Sequence, residues 1–168
     1  MDRITVTAAA GSYPVIIGSQ IIDALGRELD AAKVGKRRIV VSNHRVWELH
    51  AARFRSVGAD RTPIIVEDGE RYKNLNTVAR IIDALVKAQA DRSTVMVAVG
   101  GGVIGDMAGF AAATYLRGIP VVQVPTTLLA QVDSAIGGKT GVNHPLGKNL
   151  IGAFHAPRMV VADPTVLD

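Results

Sequence analysis

The chain has 168 residues, 48% of them hydrophobic and 20% charged, which suits one globular domain and excludes a disordered or fibrous chain. It has no cysteine, so disulfide frameworks and cysteine-ligated zinc sites are excluded. The formal charge of +4 comes with only 4% aromatic residues, which argues against a nucleic-acid stacking surface and for a solvated face or affinity for small anions.

The start, Met1-Asp2-Arg3-Ile4-Thr5-Val6, lacks a basic region followed by a long apolar core, so no signal peptide is indicated. Ile4-Thr5-Val6-Thr7 and Val15-Ile16-Ile17 flank Gly11-Ser12 and predict a pair of strands. Ser19 offers an N-cap to a helix with the apolar stripe Ile21, Ile22, Leu25 and Leu29. Ile39-Val40-Val41 predicts a buried strand, followed by a helix around Arg45 to Arg55 and a strand at Ile64-Ile65-Val66. The polar loop from Glu67 to Lys73 leads into a helix carrying Val78, Ile81, Ile82, Leu85 and Val86. Strands follow at Val95 to Val99 and Ile119 to Val124, then a helix over Thr126 to Ile136 and a last strand at Met159-Val160-Val161. Strands alternating with helices predict an α/β domain, Rossmann-like, with a mostly parallel sheet and helices on both faces. The apolar stretch from Val95 to Ala113 is broken by Gly100, Gly101, Gly102 and Gly105 and carries Asp106, so it reads as a strand, a glycine turn and a buried helix rather than a membrane span. A cytoplasmic protein with no membrane partner and no nucleic-acid partner is expected. The end at Val166-Leu167-Asp168, directly after a strand, predicts that a further domain follows.

Gly100-Gly101-Gly102-Val103-Ile104-Gly105 satisfies G-x-G-x-x-G after a strand and before a helix. Such glycines let backbone N–H groups at a helix N-terminus approach a pyrophosphate. The motif follows a late strand, and no acid stands about twenty residues on before Asp133, so a tight packing turn remains the second reading. Gly137-Gly138-Lys139-Thr140 imitates the tail of a P-loop but lacks its first glycine and its preceding strand. Lys139 and Lys148 lie in glycine-rich segments read as loops. With Asn149 and Arg117 they make a cationic set suited to a phosphate or carboxylate, beside the plainer reading of surface lysines. His44, His50, His144 and His155 show no metal-ligand spacing, and no G-x-S-x-G occurs.

These pieces are more specific together than apart. Gly100 to Phe110, Tyr115-Leu116-Arg117-Gly118-Ile119-Pro120, Val124-Pro125-Thr126-Thr127 through Asp133-Ser134, Gly137-Gly138-Lys139-Thr140-Gly141-Val142-Asn143 and Gly147-Lys148-Asn149 through Phe154 resemble the 3-dehydroquinate synthase family over essentially the whole chain. The resemblance implies an NAD-binding domain over 1–168, and a helical C-terminal domain, not in this chain, that supplies the divalent metal ligands. It implies NAD as cofactor, with zinc or cobalt held outside this chain. It also implies conversion of a seven-carbon phosphorylated sugar acid, 3-deoxy-D-arabino-heptulosonate 7-phosphate, to 3-dehydroquinate and phosphate. The full-length family form is expected to be a homodimer, and the isolated chain to be inactive.

By position, Asp68, Gly69, Glu70 and Lys73 match the adenosine-side loop, with Asn43 a further contact on that side. Gly101, Gly102, Val103, Gly105 and Asp106 match the pyrophosphate turn, and Thr126 and Thr127 the nicotinamide side. Asp133, Lys139, Lys148, Asn149 and Arg117 match residues holding the substrate, Lys139 and Lys148 also reaching the cofactor. Thr165 to Asp168 touch the end of another family NAD segment. Two rival classes stand beside this: an iron-alcohol or glycerol-type NAD dehydrogenase, and a non-catalytic nucleotide-binding module.

Overall fold

In the computed structural model, which describes residues 1–8, 11–57 and 62–167, nine strands form two sheets. The large sheet takes β1 (Asp2–Ala8), β2 (Gly11–Ile17), β3 (Arg38–Asn43), β4 (Ile64–Val66), β5 (Val95–Gly100), β6 (Val121–Pro125) and β9 (Met159–Ala162), in the order β1-β2-β9-β6-β5-β3-β4. Only β1, paired with β2, runs antiparallel; the other neighbours are parallel. The uninterrupted apolar runs are explained by burial on both faces. Ile39, Val41, Met96 and Ala98 pack toward α3 (Leu75–Lys87) and α4 (Gly102–Thr114). Their neighbours Val40, Val95, Val97 and Val99 pack toward α1 (Leu25–Ala31) and Phe54. A period of two thus feeds two cores rather than one core and solvent.

Chain order reverses direction across the sheet at β3, which lies between β4 and β5. The crevice beyond the carboxyl ends of β3 and β5 is therefore the topological switch point, where ligands of open α/β sheets gather. The expected helix around Arg45 to Arg55 is α2 (His44–His50) continued by a 3-10 segment, Ala51–Val57.

Three expectations are corrected. Ser19 does not cap the helix carrying Ile21 and Ile22; the cap position is Gln20, in the left-handed region at φ 59°, with no side-chain cap of its own. The free amides are met from far away, since Asp163 Oδ1 accepts from Gln20 N (3.1 Å) and Oδ2 from Ile22 N (3.2 Å). The helix expected over Thr126 to Ile136 is wound as a π-helix at Ala130–Ser134, with Ala135 N donating to Ala130 O at 3.1 Å. The segments of Lys139 and Lys148 are not loops: β7 (Lys139–His144) and β8 (Gly147–Phe154) form a separate antiparallel hairpin. It lies against α4, where a Cβ at Gly109 would overlap the Thr140 side chain.

Asp163, with no exposed side-chain surface, is the buried junction of the fold. It accepts from Arg53 Nη2 (2.7 Å), Thr165 Oγ1 (2.7 Å) and Thr165 N (3.0 Å) as well as from the two amides above. Burial alone would raise its pKa, but the hydrogen bonds from Thr165, Ile22 and Gln20 together hold the carboxyl below the ordinary value. A depressed carboxylate contributes stability above the unfolded-state value and loses it as pH falls through the folded one. Asp163→Ala is therefore expected to cost about 3 kcal/mol at pH 7, since it leaves three amides without their acceptor and Arg53 with only the half-exposed Asp23 as counter-charge. In denaturant titrations the gap from the parent chain should narrow below roughly pH 4. A gap that widens on acidification would show that the carboxylate is not the stabilising form.

Candidate functional site

At the switch point β5 ends in Gly100, whose carbonyl accepts from Thr126 N at 3.0 Å, and Gly101 caps α4 with extended backbone and no side-chain cap. The first intrahelical bond is Gly105 N to Gly101 O (3.1 Å), so the amides of Gly102, Val103 and Ile104 have no acceptor within the helix. The two readings of the glycine motif divide between its residues. A Cβ at Gly100 would meet Ile104 Cβ at 2.6 Å, and one at Gly105 would meet Gln123 Oε1 at 2.7 Å; these two are packing glycines. A Cβ at Gly101 would meet Thr127 Cγ2 at 3.1 Å, and one at Gly102 would meet Ser134 Oγ at 2.8 Å. These two border Thr127 and Ser134 at the mouth of the crevice. Thr126 Oγ1 and Ser134 Oγ are buried there without a hydrogen-bond partner. An uncapped helix start flanked by two unsatisfied hydroxyls fits an anionic group such as a dinucleotide pyrophosphate.

The loop from Asp68 to Lys73 turns at Gly69 (φ 105°), where the left-handed backbone favours glycine, and passes through a short 3-10 segment, Glu70–Tyr72. Lys73 is only 5% exposed, and its ammonium points into the protein rather than to solvent. Its Nζ donates to Asp106 Oδ2 at 2.5 Å and to Asn149 Oδ1 at 2.6 Å, joining the loop, the second turn of α4 and the hairpin at one point. Burial, the largest influence, pushes the Asp106 carboxyl above its ordinary value against the pull of Lys73, while Glu70 adds to the rise.

Asn143, not singled out from the sequence as a site residue, completes this knot. Its Nδ2 donates to Glu70 Oε1 (2.8 Å), its Oδ1 accepts from Asn149 N (2.8 Å), and its own amide donates to Lys73 O (2.8 Å). No local pattern signals it, because Glu70 and Lys73 lie far off in the chain. Asn43 is buried and caps α2 by accepting from Val46 N at 2.8 Å, a structural use of its carbonyl oxygen. Thr165 is engaged with Asp163, and Asp168 lies outside the described residues.

Asp106, Asp133, Ser134, Lys139 and Asn149 line one open cleft of about 480 Å³. Lys148 does not share it; with Glu70, Lys73 and Asn143 it lines a neighbouring cleft of about 400 Å³. The hairpin explains the separation. Lys139 pairs with Phe154 at its open end while Lys148 follows Gly147 at the turn, about 13 Å away at roughly 3.3 Å per residue. Arg117 is not brought to either cleft. It lies beyond the end of α4 at Thr114, and the helix from Asp106 to Thr114 alone spans roughly 12 Å along its axis. Of the four residues expected to converge on one anion site, the structure thus places Lys139 and Asn149 on one cleft, Lys148 on its neighbour and Arg117 beyond the end of α4. Among the described residues no group of three or more His, Cys, Asp or Glu stands ready to hold a metal ion, and no helix is long and apolar enough to cross a membrane.

The sequence family described as 3-dehydroquinate synthase N-terminal matches residues 63–168. A 3-dehydroquinate synthase from Nostoc punctiforme is 53% identical over 98% of this chain and 46% of its own length. A solved 2-deoxy-scyllo-inosose synthase, complexed with carbaglucose-6-phosphate, NAD+ and Co2+, superposes with TM-score 0.87 at 31% identity, over 99% of this chain and 47% of that one. Glycerol dehydrogenase from Schizosaccharomyces pombe shares the fold at TM-score 0.70 and 20% identity, over 99% of this chain and 40% of that one. The chain spans about half the length of the curated relatives it matches.

Proposed function

The chain belongs to the 3-dehydroquinate synthase family, and we propose that it forms the NAD-binding part, and one wall of the substrate site, of an enzyme with that activity. The observation that carries this reading is the uncapped start of α4 at the switch point, with Thr126 and Ser134 unsatisfied beside it. There the amides of Gly102 and Val103 would hold the cofactor pyrophosphate, with Gly101 and Gly105 setting the turn. Asp68, Gly69 and Glu70 would face its adenosine side, joined by Lys148 across the smaller cleft. Thr126 and Thr127 would face the nicotinamide side. Bound NAD supplies reversible hydride transfer, so that oxidation of a substrate alcohol is later undone and no net redox change results.

Asp133, Lys139 and Asn149 would receive the phosphorylated sugar acid. The Lys139 ammonium and the Asn149 amide donate to anionic oxygen, and a cation facing a departing phosphate stabilises the charge that develops there. Asp106, its carboxyl raised by burial and held by Lys73, gives this cleft a group able to carry a proton closer to neutrality than an ordinary aspartate. The described residues do not form a metal site, so the metal named with the relative would draw its ligands from chain beyond the length spanned here, as would the second wall of the cleft. A glycerol-type dehydrogenase, whose alcohol substrate is uncharged, gives Lys139 and Asn149 no substrate anion to meet.

Titration calorimetry tests both parts of the reading. NAD should bind the chain. Lys139→Ala should weaken binding of the seven-carbon phosphorylated sugar acid about tenfold or more while leaving NAD affinity within about twofold. Equal loss for both ligands would remove Lys139 from the substrate side.

A further inference from the structure

We propose that Ser134 is an anion ligand of the cofactor cradle, its hydroxyl donating to the pyrophosphate held over the first turn of α4. The assignment rests on the reading that NAD occupies that turn, and it names a residue which neither the glycine motif nor the lysine pair includes. Ser134 Oγ is shielded from solvent and has no hydrogen-bond partner in the protein. Buried polar groups are nearly always satisfied, so an exception asks for an occupant.

The usual local escape is closed. A serine in a helix commonly back-bonds to the carbonyl one turn earlier, here Ala130 O. The π-helical winding of Ala130–Ser134 gives that carbonyl instead to Ala135 N at 3.1 Å, and the serine hydroxyl makes no bond to it. Single π turns inside helices recur at functional sites. This one carries the hydroxyl over the glycine turn, to within 2.8 Å of where a Gly102 Cβ would stand. The hydroxyl therefore occupies the space that the missing side chain at position 102 leaves open, above the uncapped amides of α4. It also lies on the wall of the cleft shared with Asp133 and Lys139. An acceptor oxygen seated on those amides would find a donor in Ser134 that no protein group competes for. Thr126 Oγ1, in a residue 9% exposed and likewise unpartnered, shows that the want of an acceptor is a property of this corner and not of one rotamer.

The test compares the parent chain with Ser134→Ala by NAD calorimetry, by thermal unfolding without ligand, and by the 31P resonances of bound NAD. The proposal expects NAD to bind Ser134→Ala about ten- to a hundredfold more weakly, the loss of one hydrogen bond to a charged group. It expects the pyrophosphate resonances to shift and the unliganded Tm to stay or rise, since an unsatisfied hydroxyl has been removed. NAD affinity within twofold of the parent would overturn it, as would a fall in Tm accompanying the loss of affinity, which marks a packing role. If the parent chain itself fails to bind NAD, the cofactor reading falls and this proposal with it. An unaffected Ser134→Ala in a chain that does bind NAD defeats this proposal alone.

Discussion

Asp106→Ala is expected to destabilise the unliganded chain by about 3 kcal/mol, lowering Tm by roughly 6–12 °C for a domain of this size. The reason lies in Lys73 rather than in the aspartate. The carboxyl is itself raised by burial, so its ionised form gains little from the fold. Lys73 is 5% exposed and keeps only Asn149 Oδ1 when the carboxylate goes. A buried ammonium left without its counter-charge is the costly species. Asp106→Asn, which retains an acceptor oxygen, should cost clearly less. The double replacement Lys73→Met with Asp106→Leu should recover most of the loss, because apolar residues of similar volume often replace a buried pair at little cost. Urea denaturation of the four chains measures all of this. A loss below about 1 kcal/mol for Asp106→Ala would show that Lys73 is hydrated and that the pair does not hold the loop to α4.

Gly102→Val is expected to leave the chain folded and to abolish NAD binding, a loss of at least roughly a hundredfold from two or more charge-assisted hydrogen bonds. Its Cβ would arrive 2.8 Å from Ser134 Oγ, the end of a small side chain that can turn away, so the cost in stability should stay near 1 kcal/mol. The branched methyl groups would then fill the space above the α4 amides. Calorimetry and thermal unfolding together separate the two effects. Unchanged NAD affinity would mean that the pyrophosphate does not approach this residue.

Much of the large sheet was legible because its signals are local. Val95 to Gly100 and Arg38 to Asn43 are short β-branched runs buried on both faces, and the glycine motif sits at the strand–helix junction where its spacing puts it. The β7–β8 hairpin was not legible. Glycine inside a strand weakens it and so blurs the strand pattern, and β7 and β8 carry Gly141, Gly147 and Gly152. The structure supplies the reason for two of them: a Cβ at Gly141 would meet Ile151 O at 2.5 Å, and one at Gly152 would strike Thr140 O. Close strand approach, visible only in three dimensions, makes those glycines necessary. Taking the segments for loops also drew Lys139 and Lys148 together, whereas a paired ladder sets them at opposite ends of the hairpin. The long-range contacts that tie these residues together were opaque for a common cause. Asp163 meets Gln20 and Ile22, Lys73 meets Asp106 and Asn149, and Asn143 meets Glu70, all across long stretches of chain with no periodicity to betray them.

In the proposed complex NAD lies over the start of α4, at the carboxyl ends of β3 and β5. Amide resonances of 15N-labelled chain, followed as NAD is added, test it most directly. The largest shifts are expected on Gly101, Gly102 and Val103, with Ser134 and the Glu70 loop next, while Arg117 and Gly118 beyond the end of α4 do not move. Saturating NAD that leaves Gly102 and Val103 in place, or that shifts residues around Arg117 instead, would contradict it.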